Sequence, residues 1–114
     1  MFLLSSPSQF QKMKKIKIAI LGGGNIGTSL AKGLVRSGQY KTEEIILGEK
    51  RESRISFLKN IGFNATDDNT EAISETDIII ISVKPQQFET LREEIKGGIR
   101  PRHLLISTIT GITH

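Results

Sequence analysis

The chain has 114 residues, with 16 Lys and Arg against 12 Asp and Glu and no cysteine. That length suits one domain with a real core, not two, and the absence of cysteine excludes disulfides, thiolate metal sites and cysteine nucleophiles. The net charge of +4 sits in Lys12, Lys14, Lys15 and Lys17, while from Ile18 onward 12 basic residues meet 12 acidic ones. Such a balanced body lacks the concentrated basic face of a nucleic-acid surface.

The opening MFLLSSPSQFQ has no basic residue ahead of its apolar run, and Ser5, Ser6 and Pro7 end that run at once. It fails as a signal peptide. No stretch approaches the roughly 20 apolar residues of a spanning helix, so no membrane partner is expected and a cytoplasmic setting is. Residues 1–13 are read as a flexible extension, with Met13 a possible alternative start, and residues 14–114 as the folded domain.

Ile16, Ile18, Ile20 and Leu21 in KIKIAIL, residues 15–21, mark a first strand buried on both faces. Past the glycines, Ile26, Leu30, Leu34 and Val35 recur at helical spacing and stop near Ser37 and Gly38. EEIILG predicts a second strand over 43–48. A helix over 52–62 follows, with Ile55, Leu58 and Ile61 on one face and Gly62 as its stop; FNAT predicts a third strand over 63–66. Asp68 with Glu71 resembles a capping box opening a helix over 69–75. DIIIISV, residues 77–83, is the most apolar strand and suits a central position. A helix from about Gln87 to Ile95, a break at Gly97 and Gly98, and a last strand HLLIST, residues 103–108, complete the alternation. The expected fold is α/β, a doubly wound, Rossmann-like parallel sheet with right-handed crossovers and strand order 3-2-1-4-5.

Gly22, Gly24 and Gly27 have the spacing G-x-G-x-x-G between the first strand and the first helix. Gly22 would make the tight turn and Gly24 would let backbone amides approach a pyrophosphate. Gly27 would let helix and sheet pack closely. The phosphates would sit on the positive end of the helix. A glycine-rich turn also occurs simply where a chain bends, but its place in the βαβ alternation points to a dinucleotide.

The end of the second strand, LGEKRESR, offers two chemistries. Glu49 could accept the ribose hydroxyls of NAD, whereas Lys50, Arg51 and Arg54 could neutralise the 2'-phosphate of NADP. The three clustered cations favour NADP over NAD.

Taken together, the G-x-G-N-I-G turn, SVKPQ at 82–86 and ITGIT at 109–113 resemble the amino-terminal domain of pyrroline-5-carboxylate reductases, from about Lys15 onward. The resemblance implies that Gly22, Gly24, Asn25, Ile26 and Gly27 hold the pyrophosphate and that Glu49, with Lys50 and Arg51, meets the adenosine ribose or its phosphate. It further implies that Asn69 touches the adenine nucleotide, that Ser82, Val83, Lys84 and Pro85 line the cofactor, and that Thr108, Ile109 and Thr110 lie near the nicotinamide. Read without it, Pro85 simply starts a helix and Lys84 is a solvated loop charge. Thr110 departs from the family's usual alanine, and Glu49 beside two cations departs from a clear NADP pattern.

The implied reaction is reduction of the small molecule 1-pyrroline-5-carboxylate to proline by a nicotinamide cofactor. In the family an all-helical carboxyl-terminal domain, not contained in these 114 residues, supplies dimerisation and most of the substrate site. The complete enzyme is therefore expected to be a homo-oligomer, and this piece a monomer that binds cofactor with little turnover. His103 and His114 are read as bystanders, and no catalytic residue and no metal site is assigned. A free-standing, non-catalytic nucleotide-binding module and a related reductase, such as a coenzyme F420-dependent NADP oxidoreductase or a β-hydroxyacid dehydrogenase, are the alternatives.

Overall fold

The computed structural model describes residues 16–107 apart from Gly23 and Glu75. The expected flexible segment 1–13 and the loop residues Thr108, Ile109 and Thr110 lie outside the described residues. Five parallel strands form one sheet: β1 (Ile18–Leu21), β2 (Ile45–Gly48), β3 (Asn64–Thr66), β4 (Ile78–Ile81) and β5 (Leu104–Ser107), in the order β3-β2-β1-β4-β5. The helices are α1 (Asn25–Arg36), α2 (Glu52–Asn60), α3 (Asn69–Ser74) and α4 (Pro85–Ile95). The expected topology is the observed one.

The two-sided burial of the central strands explains their composition. Ile18 and Ile20 of β1 point to one face, where Ala31 of α1 and Leu58 of α2 close a core with Ile45, Leu47 and Ile80. Ala19 and Leu21 point to the other, where Ala72 and Ile73 of α3 and Leu91 and Ile95 of α4 pack on Ile46, Ile79 and Ile81. The run of four isoleucines in β4 is thus shared between the two cores, and at roughly 1.5–3 kcal/mol for each buried aliphatic side chain, burial on both faces holds the sheet centre.

Local boundaries differ from expectation where tertiary contacts decide. The start of the second expected strand, at Glu43 and Glu44, belongs to a 3-10 turn, Thr42–Glu44, because the Lys41 amide donates to Glu44 Oε1 at 2.9 Å. Helix α4 begins at Pro85, two residues early, since proline at its first position loses no intrahelical bond. The capping box of α3 is half present. Asp68 Oδ1 accepts from the amides of Thr70 at 3.0 Å and Glu71 at 3.2 Å, but Glu71 turns to the Thr66 hydroxyl at 2.8 Å.

The faces of two helices also differ. In α1 the buried residues are Gly27, Thr28 and Ala31, while Ile26 is 51% exposed; small residues face the sheet because the helix lies close to it. In α2 only Leu58 is fully buried and Ile61 is exposed. All of β5 is exposed, Leu104, Leu105 and Ile106 included.

Leu58 is therefore the main anchor of α2. Leu58→Ala is expected to lower stability by about 2–5 kcal/mol, measured by urea unfolding, whereas replacing the exposed Lys59 by alanine should leave the midpoint nearly unchanged.

Candidate functional site

The glycine turn is held by main-chain contacts that leave no room for side chains. Gly22 leaves β1 at φ +103°, and its amide donates to Gly48 O at 2.9 Å while Ser82 N donates to Leu21 O at 2.8 Å. A Cβ on Gly22 would land on the carbonyl oxygen of Ser82, and one on Gly27 would land on the carbonyl oxygen of Gly22. Both positions need glycine for packing. At Gly24, by contrast, a Cβ would meet only the Arg51 guanidinium, at 3.8 Å, and the backbone there is extended with φ −74°. Glycine at this position keeps open space in front of α1.

That space adjoins the amino end of α1, which has neither a side-chain cap nor an acidic residue in its first turn. Its first-turn amides have no acceptor within the helix, and Thr28 N begins the helical ladder by donating to Gly24 O at 2.8 Å. Open room, a helix end without a side-chain cap and the positive end of its dipole fit a phosphate.

The ends of β2, β3 and β4 supply the other predicted residues. Glu49 is buried, 7% exposed, with its carboxylate gripped by Arg51: Nε to Oε2 at 3.1 Å, Nη2 to Oε1 at 3.3 Å and the Arg51 amide to Oε2 at 2.9 Å. Burial alone would raise the pKa of Glu49, but the hydrogen bonds and charge of Arg51 outweigh it and hold the carboxyl below its ordinary value. The guanidinium stays largely exposed. Lys50 turns instead toward α3 and α4, where its ammonium donates to Asp67 O and pairs with Glu94 Oε2, both at 3.0 Å. Arg54 donates to the Thr28 hydroxyl at 2.9 Å, tying α2 to α1, and lies over the Phe57 ring at 4.9 Å. The three cations thus have three different partners.

Asn69, the first residue of α3, is 7% exposed and lies against the end of β2, where a Cβ on Gly48 would collide with its Oδ1. Its Nδ2 donates to Glu94 Oε1 at 3.3 Å, whereas Oδ1 is buried without a protein partner. Ser82 Oγ is likewise buried and unpartnered, at the end of β4. Val83 packs into the second core, Lys84 caps α4 and Pro85 begins it. Gly48 and Glu94 were not singled out from sequence. Gly48 has a signal of sorts, a glycine inside a strand, which often marks close approach; Glu94 has none. His103, at the opposite end of the sheet, accepts the Arg100 amide on Nδ1 at 2.8 Å and lies 3.1 Å from Ile73 O through Nε2.

Comparison with known proteins gives this arrangement a family. A family model described as NADP oxidoreductase, coenzyme F420-dependent, matches residues 17–111, and the chain belongs to that family. It is 45% identical over 97 residues to pyrroline-5-carboxylate reductase 2 of Dictyostelium discoideum, covering 84% of this chain and 32% of that protein. Among solved structures, it is similar to a pyrroline-5-carboxylate reductase from Coxiella burnetii, with TM-score 0.77 and 28% identity over 87% of this chain and 37% of the other. It is also similar to a Plasmodium falciparum pyrroline carboxylate reductase with NADP bound, with TM-score 0.66 and 26% identity over 84% and 34%. The chain therefore spans about a third of the length of these relatives.

The grip of Arg51 on Glu49 has a pH signature. With its folded pKa depressed, Glu49 contributes stability that is present above its unfolded value, ordinarily 4.5, and is lost as pH falls through the lower folded value. In Arg51→Met the guanidinium's hydrogen bonds and charge are lost and only backbone amides still oppose burial, so the variant should be less stable than the parent at neutral pH. The gap should close as pH falls below the ordinary carboxylate range, which urea unfolding across a pH series will measure.

Proposed function

We propose that this chain, a member of the coenzyme F420-dependent NADP oxidoreductase family, is the dinucleotide-binding portion of a pyrroline-5-carboxylate reductase, with NADP preferred over NAD. The observation that carries the reading is the turn from Gly22 to Gly27: two glycines are fixed by backbone packing, while the third, Gly24, is needed for nothing inside the protein. In this reading Gly22, Gly24, Asn25, Ile26 and Gly27 hold the pyrophosphate. Glu49 and Asn69 face the adenosine side. Ser82, Val83, Lys84 and Pro85, leaving β4, line the path toward the nicotinamide, with Thr108, Ile109 and Thr110 beyond them.

The preference for NADP rests on Arg51, whose exposed guanidinium stands between Glu49 and the open space at Gly24. It would meet a 2'-phosphate as a planar, bidentate donor. Lys50 pairs with Glu94 on the side of α3 and α4. The NADP found in the Plasmodium falciparum relative supports the same choice.

When bound, the nicotinamide supplies the hydride that reduces the imine carbon of 1-pyrroline-5-carboxylate. This chain's own residues bind and orient the cofactor, and the substrate site belongs to further protein. The exposed leucines and isoleucine of β5 support a domain that packs against more of the enzyme, as does the threefold greater length of the relatives. The setting is the cytoplasm, consistent with a chain without cysteine.

The test is calorimetric titration of the 114-residue chain with NADPH and NADH. NADPH should bind more tightly than NADH, and Arg51→Met should remove the difference. Gly24→Ala should melt within a few degrees of the parent yet bind at least about tenfold more weakly, the loss expected when a methyl group displaces one or two charge-assisted hydrogen bonds. Gly27→Ala should lose stability as well. A parent chain that binds neither dinucleotide would sink the reading.

A further inference from the structure

The polar cluster between α3 and α4 contains a residue that neither the sequence reading nor the family resemblance assigns. Glu94, near the end of α4, uses its two carboxylate oxygens on two different elements: Oε2 takes the Lys50 ammonium from the loop after β2, and Oε1 takes the Asn69 Nδ2 from the start of α3. We infer that Glu94 is the positioning residue of the adenosine side of the site, fixing which end of the Asn69 amide faces the bound nucleotide. The inference rests on the dinucleotide-binding reading above.

The chemistry of an amide makes such a residue necessary. The two ends of an asparagine side chain have nearly the same shape, but one donates and the other accepts. A carboxylate accepts only, so Glu94 admits the NH2 end of Asn69 and rejects the oxygen end. The consequence is seen at Gly48, where Oδ1 sits buried against the end of β2 without a protein partner. An orphaned acceptor at this place suits a hydroxyl or amino group of the ligand. A flipped amide would present a donor there instead, and lone-pair-bearing groups of the ribose or base would be selected.

Lys50 completes the device. Its ammonium also donates to Asp67 O at 3.0 Å, so Glu94 is anchored from the loop between β3 and α3 as well as from the end of β2. The same pairing draws Lys50 away from Arg51, which leaves Arg51 as the cation at the open side of the turn. One glutamate thus sets the polarity of Asn69 and holds Lys50 toward α3 and α4.

The experiment is a double-mutant cycle on dinucleotide binding by the 114-residue chain, read by calorimetry with NADPH and with thermal melting as the folding control. Glu94→Ala and Asn69→Ala are each expected to weaken NADPH about tenfold, the scale of one hydrogen bond to a charged or buried partner. The double variant should be no weaker than Asn69→Ala alone. Equal binding by Glu94→Ala and the parent, or a double variant weakened by the product of the two single losses, would overturn the assignment. Should Glu94→Ala fail to fold, Asn69→Asp puts a second carboxylate against Glu94 and should weaken binding, while Asn69→Asp with Glu94→Gln restores a donor across the pair and should recover it. No recovery overturns the assignment equally. A parent that binds no dinucleotide marks the failure of the functional reading itself, and a parent that binds while Glu94→Ala is unchanged marks the failure of this inference alone.

Discussion

Two carbonyl oxygens set the geometry of this domain. The oxygen of Gly22 occupies the place of a Cβ on Gly27, and the oxygen of Ser82 occupies the place of a Cβ on Gly22. Backbone therefore meets backbone at the point where β1 hands over to α1 and where β4 ends. Because α1 is drawn so close to the sheet, its inward face is restricted to Gly27, Thr28 and Ala31. Its larger apolar residues, Leu30, Leu34 and Val35, are displaced to the flank, where they pack against the edge of the first core instead of lying over its centre. One constraint in the main chain thus fixes the helix distance, the side-chain sizes along it and the direction in which its first amides point.

Charge is organised around the same strand ends. Most ion pairs among the described residues are exposed, such as Arg92 with Glu89 and Lys96 with Glu93, and pairs of that kind contribute little, typically ~0–1 kcal/mol. Glu49 differs because its carboxylate is buried while its partner Arg51 is not. Desolvation raises the cost of the charge, and the hydrogen bonds and charge of Arg51 outweigh it. A buried acceptor joined to an exposed guanidinium can respond to a ligand from either side, through hydroxyls that donate to Glu49 or a phosphate that competes for Arg51.

Much of this was legible in the sequence, and the reasons for the rest are physical. The sheet order follows from alternation of type: short β-branched runs separated by helical periods leave few topologies once crossovers must be right-handed. The glycine turn was legible because each of its positions has a mechanical task that other residues perform badly. Helix faces were not, because an apolar stripe in α1 says which residues avoid water but not how near the sheet the helix lies. Ile61 illustrates the same limit at α2, where the helix ends at Asn60 and leaves that side chain past its last turn and exposed. Glu94 was illegible for a stronger reason. Its partners Lys50 and Asn69 are 44 and 25 residues away, and a glutamate on a charged helix has no local pattern to mark it.

The two ends of the sheet are finished differently. At the amino ends of the strands, polar groups are closed by the protein itself: His103 binds the Arg100 amide and lies on Ile73 O, and Arg102 reaches both Asp77 and Ser74 O. At the carboxyl ends, Asn69 Oδ1 and Ser82 Oγ are buried with no protein partner, each at an expected cost of about 1–3 kcal/mol. Glu94 takes the Asn69 Nδ2, which leaves the amide oxygen unmatched. A cost retained at one edge and removed at the other fits the proposed site, where a ligand would recover it. The carboxyl edge is also where the glycine turn opens its space, so the incomplete hydrogen bonding and the incomplete packing coincide in one place.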